Sequence, residues 1–485
     1  MGFVLPFKIS PCNLSNYSPL KLTIQKNSFK GKEEIESKSQ LKSFRNITLL
    51  QMQQKSESSL GKNDWLQSFF STQAEKEEGE LGKWKKVSKN VLNNTPIPSD
   101  KDESWRLTPL SKLFEMNFSK IDFSDLPSLP EKFLIQTAPF RAVYINGVFS
   151  EESSNFKNLP ENVFIGSLKD FDENKKEEIL DLLSKGESGI DGGFFPLLNM
   201  SCLQDILVIS IPEGAVILDS IHVIFAGFSE KKTVNFNPRL VILAGTSSVS
   251  KIIEHHVSIG DAHYFDNSAT TVLLEKNSKL DFTFLNEVSE NSSQISSIHV
   301  NEQKGSFFNF KSLSFGGFLS RISLGIDMNG IGSSCKVNGL TVAKETQISD
   351  FHSRISHNFP RCQSSQLQKN LITGKAQGIF AGKIQVQHGA FETESDQLSK
   401  TLLLSSKAKI DALPILEINN ENVKCTHGST VSDLDENQIF YFQSRGITQE
   451  KARYLLTIGF VEEIIKGLPD QLLKRVSDFI NSFLQ

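Results

Sequence analysis

The feature that most restricts the fold is a period-two alternation of apolar residues, which begins near Leu197 and continues to about residue 430. The clearest alternating runs lie at residues 280–284, 308–310 and 322–328. Residues two apart project from the same face of a β-strand, so this pattern predicts strands with one buried face. About twenty such runs, with no helical period between them, predict an all-β unit of roughly 230 residues.

Three all-β architectures fit this pattern: a sandwich, a barrel and a parallel β-helix. Tight hairpin signals are few, Asn329-Gly330 and Asn338-Gly339 being the clear ones. The spacings between the runs are short and rather regular. Both observations favour the β-helix, but the pattern alone leaves the choice nearly even.

The flanking regions follow a different period. Residues 61–195 are predicted to form an α-rich N-terminal domain, with a short β element at 142–145 that ends in the turn signal Asn146-Gly147. Residues 196–430 form the β core, and 431–485 a C-terminal helical domain. There Asp433 is expected to begin the first helix with a capping box, Gly446 to end it and Thr448 to cap the next one.

The N-terminus resembles a targeting segment. Residues 1–32 contain five lysines and no Asp or Glu, as organellar transit peptides do. Residues 1–60 are therefore predicted to hold a transit peptide and a disordered linker.

Composition excludes several classes of function. Lys+Arg is 52 and Asp+Glu is 56, so the net charge of −4 argues against a nucleic-acid binder. No apolar run approaches the ~18 residues of a membrane span. Five scattered cysteines argue against a disulfide scaffold and favour a reducing compartment.

Two candidate sites are weak on inspection. Residues 378–384 contain glycines and a lysine, as a phosphate-binding loop does. However, three residues instead of four separate the glycines, and Ile384 stands where the loop has the Ser or Thr that binds magnesium. That segment is read as a strand turn, and the chain is not predicted to be an ATPase. His255 and His256, near His263, lie next to each other on a strand and so face opposite sides, which prevents both from reaching one metal ion.

A second histidine pair and a polysaccharide-active site are also weakly supported. His352 and His357 have no Cys-x-x-Cys spacing nearby that would indicate a metal site. A β-helix enzyme that acts on polysaccharides needs paired acidic residues, whereas Asp281, Glu287 and Asp327 are isolated in sequence.

Cys425 and His427 are a stronger candidate for a functional site than the pairs above. They lie two residues apart on a predicted strand, so thiol and imidazole project from the same face. A protonated histidine or Lys424 nearby is expected to lower the pKa of the thiol and give a thiolate that binds soft metal, persulfide sulfur or iron.

Residues 423–447 (VKCTHGSTVSDLDENQIFYFQSRGI) closely resemble the C-terminal signature of the SufB/SufD family, scaffold proteins of iron–sulfur cluster assembly. Residues 364–369, 378–384 and 402–411 fit the family's approach to that signature, and 101–110 (KDESWRLTPL) is similar to its Asp-Glu-x-Trp segment. Gly428 after His427 resembles the SufD form, because SufB usually has Glu there.

The resemblance implies a right-handed parallel β-helix flanked by helical domains. It also implies a non-catalytic scaffold that pairs through its β-helix with a SufB-like paralogue, or with itself in isolation. His427 and then Cys425 would lie near that interface, where a transient iron–sulfur cluster forms and either residue could ligate iron. The open alternative is that the chain is the persulfide-accepting SufB type itself.

The resemblance further implies that a SufC-type ABC ATPase docks on the C-terminal helices. Eight apolar residues make up the predicted partner-docking set: Ala452, Leu455, Leu456, Phe460, Ile464, Leu472, Val476 and Phe479. No tightly bound cofactor is expected, and a flavin in the complex is compatible with the family. The acid-poor leader together with this resemblance favours the plastid stroma, with the cytoplasm or another organelle as the alternative.

Overall fold

A computed structural model describes residues 60–72, 79–121, 126–172, 191–230 and 232–484, together with the pairs 175–176, 179–180 and 182–183. The predicted transit peptide and nearly all of the linker lie outside these residues. The helices are α1 (Leu60–Ser71), α2 (Gly79–Leu92), α3 (Ser111–Phe114), α4 (Phe194–Ser201), α5 (Glu436–Ser444), α6 (Gln449–Ile465) and α7 (Asp470–Leu484). Short 3-10 turns lie at Glu131–Phe133, Leu168–Asp170 and Asp191–Gly193.

The strands form two long sheets. Sheet A runs, in spatial order, through β2 (Val148–Phe149), β1 (Phe140–Ile145), β5 (Val216–Phe228), β8 (Val249–Ile259), β10 (Lys279–Glu287), β12 (Phe307–Ser314), β14 (Ser334–Ala343), β16 (Gln363–Ile372), β18 (Thr393–Leu403) and β20 (Val423–Asp433). Sheet B runs through β19 (Lys409–Ile418), β17 (Gln377–Val386), β15 (Ile348–His357), β13 (Leu319–Met328), β11 (Ser293–Glu302), β9 (Tyr264–Leu274), β7 (Arg239–Ala244), β4 (Leu207–Ile211) and β3 (Phe164–Ser167). One further strand, β6 (Val234–Phe236), pairs with β9.

The connectivity is that of a parallel β-helix of about eight turns. Successive strands alternate between the two sheets, and each pairs in parallel with the strand one turn further on, as β10 does with β12 and β11 with β13. Side chains in contact between neighbouring turns are 27 to 34 residues apart in sequence, as in the pairs Arg354–Asp327 and Gln377–Asp411. The β-helix prediction is therefore confirmed, and the sandwich and barrel are excluded.

The two turn signals do not form hairpins. Asn338 and Gly339 lie inside β14, and Asn329 and Gly330 lie in the bend between β13 and β14, which belong to different sheets. The segment 378–384, read as a strand turn, lies inside β17. At 338–339 and 378–384 long-range strand pairing overrides the local preference of glycine for turns, whereas Asn329-Gly330 turns the chain from one sheet to the other.

Aromatic columns fill the middle of the β-helix. Phe282 and Phe310 are register partners with ring centroids 5.9 Å apart, and Phe351 and Phe380 repeat the arrangement in sheet B at 6.4 Å. All four rings are essentially buried. Burying one such side chain stabilises the fold by about 1.5–3 kcal/mol, so the period-two phenylalanines account for much of the core.

The N-terminal region is not purely helical, because β1 joins sheet A beside β5 and β3 joins sheet B beside β4. The predicted β element at 142–145 lies within β1, and Asn146-Gly147, with φ of 52° and 83°, links it to β2. Within this region the described pairs 175–176, 179–180 and 182–183 are helical, as expected for an α-rich domain.

The segment 101–110 is clamped onto sheet B. Trp105 packs against the Arg321 guanidinium, whose carbon lies 3.8 Å from the centre of the indole ring. Thr108 Oγ1 donates to Asp350 and accepts from Arg321 Nη1 at 2.7 Å. The Asp-Glu-x-Trp segment thus fixes the N-terminal region to the β-helix.

The C-terminal helices pack on the outer face of sheet A, where their apolar residues meet those of β10, β12, β14 and β16. The first helix begins two residues later than predicted, because Asp433 ends β20 and Asp435 is the N-cap, accepting from Asn437 N at 2.9 Å. The other end signals are confirmed: Gly446 has φ of 80°, and Thr448 accepts from Lys451 N at 3.3 Å.

Candidate functional site

Cys425 and His427 lie on β20, the final strand of sheet A. Within the described residues this strand pairs only with β18, where Ser395 is the register partner of Cys425 and Gln397 that of His427. Ser395 and Gln397 are buried and belong to the inner face of the coil, so the thiol and imidazole share that inward face. The predicted shared orientation is confirmed by the strand assignment.

Cys425 is half-buried in an apolar environment. It packs at the edge of a small cluster made by Ile384, Val386 and Ala390, with Leu416 beside it. Burial raises the pKa of the Cys425 thiol above its usual value, since the charged thiolate would lose solvation there.

The expectation that the pKa of the Cys425 thiol is lowered is therefore wrong for the isolated chain. Lys424 cannot stabilise it because adjacent strand residues face opposite sides. The Lys424 ammonium instead lies 2.9 Å from Glu394 Oε1 on the outer face. Burial therefore raises the pKa of the Cys425 thiol with no opposing charge from Lys424.

His427 is exposed but stands next to a buried polar chain. Its register partner Gln397 is 2% exposed, and Gln397 Nε2 donates to Gln366 Oε1 at 2.8 Å. Gln366 Nε2 in turn donates to Ser353 Oγ of sheet B at 2.7 Å. The interior column that is aromatic in the middle of the coil therefore becomes polar as it approaches β20.

The last turn is the most exposed part of the coil. No side chain of β19 or β20 is fully buried, whereas β17 and β18 beneath them contain many buried ones. Several of the exposed side chains are apolar: Leu413, Ile415, Ile418 and Val431, at 36–52% exposure. Cys425 and His427 thus lie at an open end that another protein can reach.

Two family models match this chain. The model described as SUF system FeS cluster assembly, SufBD core domain, matches residues 227–460, and the SufBD protein N-terminal region matches 71–223. The Arabidopsis thaliana "Protein ABCI7, chloroplastic" is 30% identical over 394 residues, which is 80% of this chain and 82% of the relative. The chain belongs to the SufBD family.

Two other relatives extend this result. An iron–sulfur cluster assembly SufBD family protein of Synechocystis is 29% identical over 391 residues, covering 78% of this chain and 86% of the relative. The Escherichia coli iron–sulfur cluster assembly protein SufD is 27% identical over 396 residues, covering 79% and 88%. The family resemblance read from residues 423–447 is confirmed.

Half of the docking set predicted for this SufBD-family chain lies in its own core. Ala452, Ile464, Leu472 and Val476 are at most 1% exposed and pack inside the chain, so the structure corrects their assignment to a partner surface. A helical stripe of apolar residues does not by itself distinguish the chain's own sheet from a foreign surface.

The other four residues of the set differ in exposure. Leu456, Phe460 and Phe479 are partly buried, and the Phe479 ring lies 4.8 Å from that of Phe315. Leu455 is 37% exposed. Of the eight, it is the side chain most available to a partner.

Sequence analysis missed the two most exposed aromatic residues of the C-terminal helices. Phe440 and Tyr441, on α5, are 70% and 57% exposed. The signal was present as a run of three aromatic residues, 440–442, directly after the buried Ile439. Two adjacent exposed aromatic side chains make this part of α5 a candidate interaction surface.

The remaining histidines do not form a metal centre with one another. As predicted, His255 faces outward, 3.0 Å from Glu287, whereas His256 faces inward between Asp266 and Glu254, at 2.6 and 2.9 Å. In the described part of the chain, no group of three or more His, Cys, Asp or Glu side chains could hold a metal ion.

The other two candidate histidines have structural partners, and His263 is exposed. His352 lies 3.0 Å from Asp350 in the Arg321 cluster. His357 is buried beside Ser364, at 2.9 Å, and burial lowers its pKa to about 4. Neither lies on the face of β20 that carries the candidate site.

The isolated acidic residues do not come together either. Asp281 and Glu287 lie six residues apart on β10, about 20 Å along a strand, and Asp327 belongs to the other sheet. Glycosidase carboxyl groups lie roughly 5–9.5 Å apart, so these three do not form such a pair. Asp327 instead contacts His299 and Arg354, both at 2.9 Å.

Three other cysteines, Cys202, Cys335 and Cys362, are buried and unpaired, so Cys425 is the most accessible thiol of the described residues. Cys12 lies outside those residues. Among the helices that the structure describes, none combines the length and apolarity needed to cross a bilayer.

Proposed function

We propose that this chain is a SufD-like scaffold subunit of a complex that assembles iron–sulfur clusters. The observation that carries the proposal is the position of Cys425 and His427 on the inward face of an exposed edge strand, in a chain of the SufBD family. The SufD type is supported by relatives of that name and by Gly428 after His427.

The open end of the β-helix is the proposed contact with a SufB-like paralogue. Edge strands present unpaired backbone groups that favour pairing with another strand, and β19 and β20 are both edge strands. Apolar side chains such as Ile415 and Val431, at 41% and 52% exposure, would be removed from water there. In isolation the same surface could pair two copies of this chain.

A cluster at this interface is cargo, delivered onward after assembly, and not a resident cofactor. Such clusters are held by four protein ligands, whereas Cys425 and His427 supply at most two. The partner subunit would therefore supply the remaining ligands. Since burial raises the pKa of the Cys425 thiol, we propose His427 as the first ligand, or as the group that keeps a partner's thiol ionised.

The work of assembly is proposed to come from a SufC-type ATPase on the C-terminal helices. Phe440, Tyr441 and Leu455 are the exposed apolar residues of that region. Helices α6 and α7 are fixed to sheet A, for example by Lys369 Nζ, which donates to Phe460 O at 2.6 Å and pairs with Glu463 at 2.9 Å. Movement of the ATPase would thus be transmitted to the β-helix.

In this proposal the chain itself is a non-catalytic scaffold. No tightly bound cofactor is proposed for it, and a flavin in the whole complex is compatible with the family. The plastid stroma is the proposed location, supported by the acid-poor residues 1–32 and by the chloroplastic relative.

The test is to co-express the chain with SufB-type and SufC-type subunits and purify the complex anaerobically. We expect a stable complex, and we expect His427→Ala to retain assembly but lower iron and sulfide content about tenfold or more. His388→Ala, which changes another exposed histidine near the same end, is the matched control and should leave both unchanged.

Two outcomes would contradict the proposal. Recovery of only unassociated chain under reducing conditions would remove the scaffold function. Unchanged iron and sulfide in His427→Ala would remove His427 from the site. Persulfide labelling of Cys425 after incubation with a sulfur donor would instead indicate the SufB type.

A further inference from the structure

The polar chain inside the β-helix has a direction. Gln366 Nε2 donates to Ser353 Oγ at 2.7 Å, and Gln397 Nε2 donates to Gln366 Oε1 at 2.8 Å. The amide nitrogen of Gln397 therefore points toward β16 and away from β20. This leaves the carbonyl oxygen of Gln397 as the acceptor at the end of the chain nearest His427.

That oxygen has no partner in the described part of the chain. Gln397 Oε1 is buried and accepts no hydrogen bond there, although buried amide oxygens are nearly always paired. The register partner of Gln397 is His427, and paired strands lie about 4.8 Å apart. The imidazole and the amide therefore stand side by side on the same inward face.

The opposite sheet fixes the amide in place. A Cβ atom at Gly382 of β17 would lie only 2.3 Å from Gln397 Nε2, so any larger residue would displace the amide. Gly382 thus provides the space in which Gln397 meets Gln366. The orientation of Gln397 is set from both sheets and does not depend on His427.

We propose that Gln397 is a positioning residue for His427: in solution the exposed imidazole turns inward, so that Oε1, unpaired in the structure, accepts a hydrogen bond from one ring N–H and thereby fixes the tautomer of the imidazole. A neutral imidazole has one N–H and one nitrogen with a free lone pair. Fixing the N–H toward Gln397 leaves the lone pair directed away from the amide, toward the open end where iron would arrive. This rests on the proposed function of His427.

The first test reads the tautomer directly. The full chain is labelled with 15N-histidine, and the Nδ1 and Nε2 shifts of His427 are assigned by their loss in His427→Ala. We expect one dominant tautomer in the wild type, a more even mixture in Gln397→Met, and recovery in Gln397→Glu, which restores an acceptor oxygen. Gln294→Met is the matched control, since Gln294 is also a buried inward glutamine with an unpaired Oε1.

The second test measures iron retained by the anaerobically purified complex. Loss of a hydrogen-bond partner behind a ligating histidine typically weakens metal binding 10–100-fold, so Gln397→Met should retain correspondingly less iron and Gln397→Glu should recover it. Gln294→Met should match the wild type. A structural role for Gln397 would not give this recovery together with the tautomer change.

Identical His427 ring shifts in the wild type and Gln397→Met would overturn the proposal. If Gln397→Met does not fold, two other variants decide. Gln397→Glu with wild-type ring shifts and wild-type iron content supports the proposal. Gln397→Asn has an amide too short to reach His427, so a wild-type tautomer in that variant overturns the proposal. If His427→Ala keeps its iron, the proposed function fails. If His427→Ala loses iron while Gln397→Met does not, only the role of Gln397 fails.

Discussion

Replacing Arg321 by Met should strongly destabilise the clamp that holds the N-terminal region. Arg321 and Asp350 have fully buried side chains, with Arg321 Nη1 2.6 Å from Asp350 Oδ2. Breaking a buried ion pair by removing one partner costs about 3–5 kcal/mol, because the remaining charge is left in a poorly solvated site. Loss of the contact with Trp105 adds to this, whereas the methionine recovers part of the packing.

The loss of stability in Arg321→Met should depend on pH. Burial raises the pKa of Asp350, but Arg321 and His352 outweigh burial and hold it below its usual value. The wild type therefore keeps the stability from this carboxylate above its ordinary pKa of about 3.9 and loses it only at lower pH. Without Arg321 burial dominates and the folded pKa is raised, so the variant loses stability as the pH rises from about 4.

The assay is urea unfolding of the full chain, followed by tryptophan fluorescence at pH 7 and pH 5. We expect a deficit of about 3–5 kcal/mol at pH 7, a smaller one at pH 5, and recovery of most of it in Arg321→Met/Asp350→Asn. The control is Arg361→Met, whose pair with Glu392 is exposed and should cost about 0.5 kcal/mol or less. A deficit below 1 kcal/mol at pH 7, or one unaffected by Asp350→Asn, would refute this reasoning.

Three further predictions concern the thiol, the C-terminal helices and the core. The alkylation rate of Cys425 by iodoacetamide should lie below that of free cysteine at pH 7.5 and rise with pH, and a pH-independent rate would contradict its raised pKa. Ile480→Ala, at a fully buried site, should cost about 2–5 kcal/mol in thermal unfolding, whereas Leu455→Ala should cost about 0.5 kcal/mol or less yet weaken capture of the ATPase. Burial lowers the pKa of His256, but Asp266 and Glu254 outweigh burial and raise the pKa to about 9. The stability that this imidazolium contributes should therefore be complete below pH ~6.5 and be lost as the pH rises through about 9. Urea titrations across this pH range measure the effect, and a free energy of unfolding that does not change with pH would contradict it.

Much of the architecture could be predicted from local pattern. Alternating runs such as 280–284 specify strands with one buried face wherever they occur, and the scarcity of hairpin signals favoured the coil. What the pattern could not determine was which distant strand each run would meet. That is why Asn338-Gly339, a strong turn signal, lies in the middle of β14, where pairing with two neighbours overrides it.

The shared orientation of Cys425 and His427 could be predicted from the sequence, but the pKa of the thiol could not. The two-residue spacing correctly put Cys425 and His427 on one face, because this depends only on strand geometry. The thiol's pKa depends instead on Ile384 and Val386, about 40 residues earlier, which reach it only through the coil. Four of the eight docking residues were assigned wrongly for a related reason. Helical periodicity identifies a buried face but does not show whether the chain itself or a partner covers that face.

If the proposed partner covers the final turn, the way in which a cell makes this protein is affected. A chain made with β19 and β20 uncovered carries strand edges that can pair with the proposed partner and equally with another copy or a misfolded protein. The proposal therefore requires synthesis of the two subunits to be matched in amount and timing. Surplus chain without its partner would be a substrate for chaperones and proteases, so the supply of the proposed partner would set the abundance of this protein.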